Sequence, residues 1–118
     1  MKPLVYLAGP ISADPLGRTT EAVHLADSLL RQGFVVIVPQ LSVLWQMIAP
    51  KTHEQWLELD LELVRRCDAL LRIAGESKGA DQEVEFARAN GIPVFYRIVD
   101  LLDWKASREH AEKAVANG

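Results

Sequence analysis

Two carboxylates stand out in the sequence because helical spacing turns both of them toward the interior of the protein. In a helix over about residues 79–89, steps of about 100° place Glu83 at the edge of the apolar stripe and Glu85 toward solvent. Asp60 lies in the middle of a second apolar stripe, on the same helical line as Trp56. A half-buried charge is costly unless it is paired or used, so both acids are candidates for catalysis.

Each acid also has a structural interpretation. Glu83 could cap a backbone group, or it could pair with Arg72 or Arg97, each of which interrupts an apolar strand. Asp60 could be a structural acid that is satisfied by backbone N–H groups or by an arginine. The helical spacing predicts where the two carboxylates point, and it leaves open whether they catalyse a reaction or stabilise the fold.

The glycine-containing loop over residues 75–79 joins an apolar strand to the helix of Glu83. Such a loop brings free backbone N–H groups and the positive end of the helix dipole to one spot. Ser77 adds a hydroxyl there, Gly79 allows a ligand to approach the backbone closely, and Ala80 follows in the first turn. The sequence therefore predicts a binding site for an anion such as phosphate beside Glu83.

Composition places the chain among globular proteins. Its 118 residues are 49% apolar and 25% charged, as expected for one domain with a core of its own. The net charge of -3 gives no reason to expect nucleic-acid or membrane binding through a basic surface. Cys67 is the only cysteine, and the apolar run at residues 4–8 is too short for a signal peptide. We therefore expect one domain over residues 1–118 in the cytoplasm.

Apolar runs alternate with amphipathic segments in the order βαβ(α)αβαβα, which predicts a parallel sheet between helical layers. The expected fold is a three-layer, flavodoxin- or Rossmann-like α/β fold with four to five strands in the order 2-1-3-4. The predicted strands are continuous, unalternating apolar runs, as buried parallel strands are. They cover residues 4–8, 34–38, 69–74 and 92–96.

Three segments of the chain have weaker signals for their structure. The first helix is expected to start at Thr19 or Thr20 and to end at Gly33. Residues 41–50 are apolar without a decisive period, so they are expected to form a short helix or an ordered loop over a pocket. Such a stretch should pack on the core or on another subunit. The tail over residues 100–118 is expected to cover the sheet edge or a subunit contact.

Ligands of such sheets bind beyond the carboxyl ends of the strands, at the switch point of the strand order. The first strand ends in a loop that contains Gly9, Pro10 and Ser12, and the third strand ends in the loop before Glu83. If these strands are neighbours, the two loops form one crevice that Asp60 could reach. Other candidates for lining this crevice are His53 and Trp56. A histidine near a helix start is, however, more often a cap or a surface residue.

Three motifs in this order resemble those of the nucleoside 2-deoxyribosyltransferase-like superfamily. The opening Tyr6-Leu-Ala-Gly-Pro-Ile-Ser12 is similar to its first-strand motif, and Asp60 matches its helical aspartate. Ser77-Lys-Gly-Ala-Asp-Gln-Glu83, followed by the run at residues 91–94, resembles its glutamate-bearing loop. The strongest likeness is to a small, uncharacterised bacterial and phage branch with a Ser-x-Gly-Ala loop.

The resemblance implies a chemistry in which Glu83 attacks the anomeric carbon of a deoxyribose. Asp60 would protonate the departing base, and Tyr6 would orient Glu83. A serine placed like Ser77 implies a substrate with a 5′-phosphate, so N-glycosidic cleavage or deoxyribosyl transfer on a (deoxy)nucleoside 5′-monophosphate is expected. No metal and no cofactor are expected. Relatives build their sites at subunit boundaries, so a homodimer or larger homo-oligomer is expected as well.

The sequence departs from the superfamily pattern at two places. Glu85 stands where a glycine often follows the glutamate by two positions. The arginine- and glycine-rich loop after the first strand is replaced by residues 13–17, with Arg18 as a possible substitute for phosphate binding. These departures leave a second hypothesis open, in which the crevice is that of a non-catalytic nucleotide-binding module.

Overall fold

A parallel sheet of four strands forms the centre of the computed structural model, which describes residues 1–117. Its strands are β1 (Leu4–Ala8), β2 (Val35–Ile37), β3 (Ala69–Arg72) and β4 (Val94–Phe95). Their order across the sheet is β2-β1-β3-β4, and all three neighbouring pairs run parallel. The predicted α/β fold and its 2-1-3-4 strand order are therefore confirmed.

Five α-helices surround the sheet within the described residues. They are α1 (Pro15–Arg31), α2 (Ser42–Ile48), α3 (His53–Arg65), α4 (Lys78–Ala89) and α5 (Ile98–Asn117), and a short 3-10 helix (Pro39–Leu41) precedes α2. None of the helices in residues 1–117 is long and apolar enough to cross a membrane. Gly118, the last residue of the predicted tail, lies outside the described part of the chain.

The alternation of side chains along β1 divides the core into two layers. Successive residues of a strand point to opposite faces, so Tyr6 and Ala8 pack with residues of α3 and α4. Val5 and Leu7 pack on the other face with residues of α1 and α5. All four β1 side chains are fully buried. The tyrosine of the first-strand motif therefore points into the layer that contains α4.

Helix α1 begins earlier than the sequence predicts. The expected start at Thr19 or Thr20 is wrong, because Asp14 caps the helix by accepting a hydrogen bond from the Gly17 backbone N–H. Pro15 then occupies the first helical position, where a missing N–H costs nothing. An aspartate–proline pair of this kind is a local signal for a helix start.

Strand β2 is less buried than its unbroken apolar sequence predicts. The expectation of a fully buried strand is wrong, since Val35 is 46% exposed and Val36 and Ile37 are only half-buried. The reason is position, because β2 pairs with β1 alone and forms one edge of the sheet. Strands β2 and β4 are shorter than predicted at both ends, and β3 is shorter at its carboxyl end.

The apolar stretch over residues 41–50 forms helix α2, one of the two conformations expected for it. The expected packing on the core is wrong, because α2 contains no buried residue. Leu44, Trp45, Met47 and Ile48 are between 47% and 75% exposed. A contact of this surface with another subunit, and with it the homo-oligomer, stays a prediction.

Helix α5 covers a face of the sheet rather than its edge. Leu101 is fully buried in the layer that contains Val5 and Leu7, and Leu102 and Trp104 pack against the same layer. The helix continues to Asn117 with exposed side chains. The expectation that the tail covers the sheet edge is therefore corrected to burial of its first turns in the core.

Candidate active site

The phase of helix α4 determines where Glu83 points. Ser77 caps the helix by accepting a hydrogen bond from the Ala80 N–H, which fixes the first turn. Glu83 is only 6% exposed and lies among the buried residues of the helix, whereas Glu85 is exposed. This is the orientation that the helical spacing predicts for the two glutamates.

A hydrogen bond joins Glu83 to the sheet. The Tyr6 hydroxyl on β1 donates to Glu83 Oε2, and both side chains are buried. Burial, followed by the charges of Glu83 and Asp60, raises the pKa of Tyr6, so this hydroxyl stays protonated and remains a donor. Among the described residues, Glu83 forms no ion pair with Arg72 or Arg97 and caps no backbone group. Arg72 pairs with Asp81 instead, although its charge still lowers the pKa of Glu83.

Burial also sets the protonation of the two carboxyls. Desolvation raises the pKa of Glu83 to about 8, opposed by the Tyr6 hydrogen bond and reinforced by the charge of Asp60. Desolvation raises the pKa of Asp60 to about 6, and the nearby Tyr6 hydroxyl acts against this shift. The charge of Asp60 acts on Glu83, so the titrations of the two carboxyls are linked. Near neutral pH the pair holds about one proton.

Helix α3 carries Asp60 to the same place. Thr52 and Gln55 form a capping box at its start, which fixes its first turn. Asp60 is half-buried one turn after Trp56 and one turn before the buried Val64. Asp60 therefore stands at the boundary between the apolar core and the open space above it.

That open space is a cleft of about 730 Å³, a volume within the usual range for small-molecule sites. Its walls come from the loops after β1 and β3, from α2 and from the starts of α3 and α4. The predicted residues that line it are Gly9, Pro10, Ser12, His53, Trp56, Asp60, Ser77, Gly79, Ala80 and Glu83. Within residues 1–117, no three His, Cys, Asp or Glu side chains are grouped so that they could hold a metal ion.

Arg18 does not line this cleft, and its expected role as a substitute phosphate ligand stays a prediction. Its guanidinium pairs with Glu21 at 3.2 Å and lies 3.5 Å from the carbonyl oxygen of Ala74. It also lies beside Gly75, where an added Cβ would come within 3.1 Å of the Arg18 guanidinium. The earlier start of α1 places Arg18 in the first turn of the helix, beside the β3–α4 loop.

The sequence predicts a special role for Gly79, but the glycines that the loop geometry requires are Gly9 and Gly75. A Cβ on Gly79 would make only an ordinary contact, 3.5 Å from His53 Cε1. A Cβ on Gly9 would lie 2.9 Å from the Cβ of Ile73, which real structures essentially never show. Gly75 has a φ of 126°, a conformation that side chains disfavour. Gly9 and Gly75 thus allow the loops after β1 and β3 to pack against each other.

Several polar residues of the cleft have no counterpart in the sequence prediction. Gln46 lies on α2, Lys51 immediately precedes α3, and Lys78 begins α4. The Lys51 ammonium lies 5.2 Å and 5.8 Å from the ring centres of Trp45 and Trp56, which pack edge to face. The capping box at Thr52 indicates a helix start next to Lys51, but no periodic signal predicts the side of the cleft on which α2 lies.

Comparison with known proteins places this chain in a family. Residues 3–96 match DUF4406, a domain of unknown function, and the chain belongs to that family. A comparison with curated proteins gives no match. Among solved structures, the chain is similar to a 2-deoxyribosyltransferase from the psychrotolerant bacterium Bacillus psychrosaccharolyticus, with a TM-score of 0.55 and 21% identity.

That similarity covers 84% of this chain and 78% of the transferase. At this identity the likeness is one of fold. The nucleoside 2-deoxyribosyltransferase-like fold that the three sequence motifs predict is therefore confirmed, while the likeness assigns no activity to this chain.

The raised pKa of Glu83 leads to a prediction about stability. The folded protein holds the Glu83 proton up to about pH 8, whereas the unfolded chain releases it near 4.5. Glu83 therefore contributes most to stability below the pKa of the unfolded chain, and this contribution falls as the pH rises to the pKa of the folded protein. Glu83→Gln keeps an acceptor for Tyr6 but cannot ionise. Its melting temperature relative to wild type should rise between about pH 5 and about pH 9.

The matched control is Glu85→Gln, because Glu85 is exposed on the same helix. Thermal unfolding followed by circular dichroism should give a difference from wild type for this control that stays level across the pH range. A level difference for Glu83→Gln as well would contradict the raised pKa and the burial of its charge.

Proposed function

We propose that this protein cleaves the N-glycosidic bond of a (deoxy)nucleoside 5′-monophosphate, or transfers its deoxyribosyl group, through Glu83 as nucleophile. The observation that carries the proposal is the buried hydrogen bond from Tyr6 to Glu83, formed at the wall of a cleft that Asp60 also lines. The similarity in fold to a 2-deoxyribosyltransferase supports the choice of a glycosidic bond as the target.

The proposed reaction has two displacements. In the first, a Glu83 oxygen forms a bond to C1′ while the bond from C1′ to the base nitrogen breaks, and Asp60 donates a proton to the departing base. In the second, water or another base attacks C1′, the bond to Glu83 breaks, and Asp60 takes a proton from the attacking group. Two carboxyl groups with these roles act as the pair in retaining glycosidases does.

Tyr6 has a positioning role in this scheme. Its hydroxyl donates to one oxygen of Glu83, Oε2, so the carboxylate cannot rotate freely and Oε1 is left for the sugar carbon. The hydrogen bond also stabilises the ionised form of Glu83. Because Tyr6 is held in a strand with no exposed surface, the geometry is set before a substrate arrives.

The two pKa values restrict the pH at which the reactive form exists. The scheme needs Glu83 ionised and Asp60 protonated, so the pair must hold one proton. This state occurs between about pH 6 and about pH 8, because burial raises the pKa of Asp60 to about 6 and the pKa of Glu83 to about 8.

The 5′-phosphate is assigned to the start of helix α4. Ser77 and Gly79 line the cleft there, and Lys78 adds a positive charge. The Ala80 N–H already bonds to Ser77, so the N–H groups of the first two helical residues and the Ser77 proton are the donors for an anion. The helix dipole favours negative charge at the same end.

The alternative function is a non-catalytic module that binds a nucleotide in the same cleft. The burial of Glu83 favours it, because burial raises the pKa of this carboxyl to about 8, and a carboxyl that is mostly protonated at neutral pH is no nucleophile. In that case Glu83 would donate a hydrogen bond to the ligand sugar. The two functions share the binding site and differ in whether free base is released.

The first prediction here compares two glutamates on one helix. Glu83→Ala should lower the rate of base release by roughly 10³-fold or more, because it removes the covalent path. Glu85→Ala is the matched control and should stay within about threefold of wild type, since an exposed side chain has little effect. Asp60→Asn should fall between them, most severely for bases that are poor leaving groups.

The measurement is release of free base from a panel of nucleoside monophosphates, followed by chromatography, with circular dichroism to verify folding. An essential Glu85 beside a dispensable Glu83 would contradict the assignment of the nucleophile. Tight binding of a nucleotide without any base release by wild type would favour the binding module instead.

The second prediction concerns the phosphate. Ser77→Ala should bind monophosphates more weakly and nucleosides unchanged, as measured by titration calorimetry. Ser77→Asp is the sharper variant, because aspartate caps a helix as well as serine does but repels an anion. It should retain wild-type stability and nucleoside binding while its binding of monophosphates falls further. Equal affinity of wild type for a nucleoside and its monophosphate would contradict the proposed phosphate site at the start of α4.

A further inference from the structure

The side-chain amide of Gln46 is held in one orientation by two hydrogen bonds. Its Oε1 accepts one from the indole Nε1–H of Trp56 and another, at 2.9 Å, from the backbone N–H of Lys51. Neither donor is able to accept a hydrogen bond, because an indole N–H and a backbone N–H only donate. The opposite amide orientation would set an NH₂ group against two donors, so the observed one is fixed by chemistry.

This orientation leaves the amide nitrogen of Gln46 for a ligand. Within residues 1–117, Gln46 Nε2 donates to no protein group. Gln46 lines the cleft together with Trp56 and Asp60. The cleft wall therefore presents two N–H donors next to the indole ring, and the Gln46 oxygen is no longer free to accept.

The contacts of Gln46 relate it to the base of the substrate through Trp56 and Asp60. Gln46 bonds to Trp56, and Asp60 lies one helical turn further along α3 on the same side. Asp60 must reach the base in order to protonate it. A base in contact with Asp60 thus lies along the helix face to which Gln46 is attached.

We propose that Gln46 selects nucleotides whose base presents a carbonyl oxygen over nucleotides whose base presents an amino group at the same place. This inference rests on the proposed function for the placement of the base. A carbonyl oxygen accepts from the Gln46 amide, whereas an amino group opposite it would leave donors facing donors. A site built to donate rejects a ligand that lacks the acceptor, since its own polar group then loses water without a partner.

The hydroxyl side chains of this wall do not make the same distinction. The hydroxyls of Ser12 and Ser42 line the cleft too, but a hydroxyl both donates and accepts and can turn to suit either base. Gln46 differs from them because its acceptor is already used. Its restraint by Trp56 and Lys51 is what makes the amide a discriminating group.

The experiment measures binding of two matched pairs of ligands by titration calorimetry. Uridylate and cytidylate differ at the 4-position of the ring, and inosinate and adenylate differ at the 6-position, each pair in the 2′-deoxy form. Wild type should bind the carbonyl member of a pair about tenfold more tightly, the effect of roughly one hydrogen bond. Comparison within a pair cancels the contribution of the phosphate and the sugar.

Gln46→Glu is the decisive variant. One carboxylate oxygen still accepts from Trp56 and Lys51, and the other replaces the NH₂ donors with an acceptor. The preference should therefore reverse, so that cytidylate or adenylate binds more tightly than its partner. Gln32→Glu adds the same charge at the exposed end of α1 and should leave the preference of wild type unchanged.

The outcomes separate this inference from the proposed function. No preference in wild type, an unchanged preference in Gln46→Glu, or no binding of any of the four ligands would overturn the role of Gln46. Base release with no effect of Gln46→Glu on the preference would leave the proposed enzyme standing without this selectivity. A reversed preference without base release would support the role of Gln46 in selecting the base and would contradict the proposed enzymatic activity.

Discussion

A hydrogen bond between a buried tyrosine and a buried glutamate joins the central strand to helix α4, and the candidate site depends on it. Glu83 would be costly at this depth as an isolated charge. Among the described groups, the Tyr6 hydroxyl is the one hydrogen-bond partner of Glu83. Burial raises the pKa of Glu83, so the Glu83 carboxyl keeps its proton up to about pH 8. The pair thus holds a carboxyl with a raised pKa at the wall of a cleft, and ionisation of this carboxyl lowers the stability of the fold.

The surrounding fold brings the partners of this bond together. Parallel pairing of β1 with β3 sets Tyr6 opposite Leu70, so the chain that leaves β3 passes the end of β1 before it enters α4. Arg72, which is buried, donates to the carbonyls of Ile73 and Gly75 and pairs with Asp81 at 3.0 Å. These contacts tie the β3–α4 loop to the first turn of the helix. The phase of α4 then turns Glu83 inward.

The sequence predicted the parts of the site that follow from local periodicity. Glu83 and Asp60 could be placed because the phase of an amphipathic helix is written in its own residues. The start of α1 was misplaced because Asp14 caps the helix four positions before Arg18. The side of the cleft that holds Gln46 and Lys51 could not be predicted, since α2 buries no residue and its position depends on contacts with α3.

The most direct test of this account is to look for the bond between Glu83 and the sugar. Wild-type protein that is mixed with a monophosphate it cleaves, quenched in acid and digested should contain a peptide with Glu83 that is heavier by the sugar phosphate. Mass spectrometry should find the same peptide unmodified in Glu83→Gln. Base release without this adduct, or an adduct on Asp60, would contradict the proposal that Glu83 is the nucleophile.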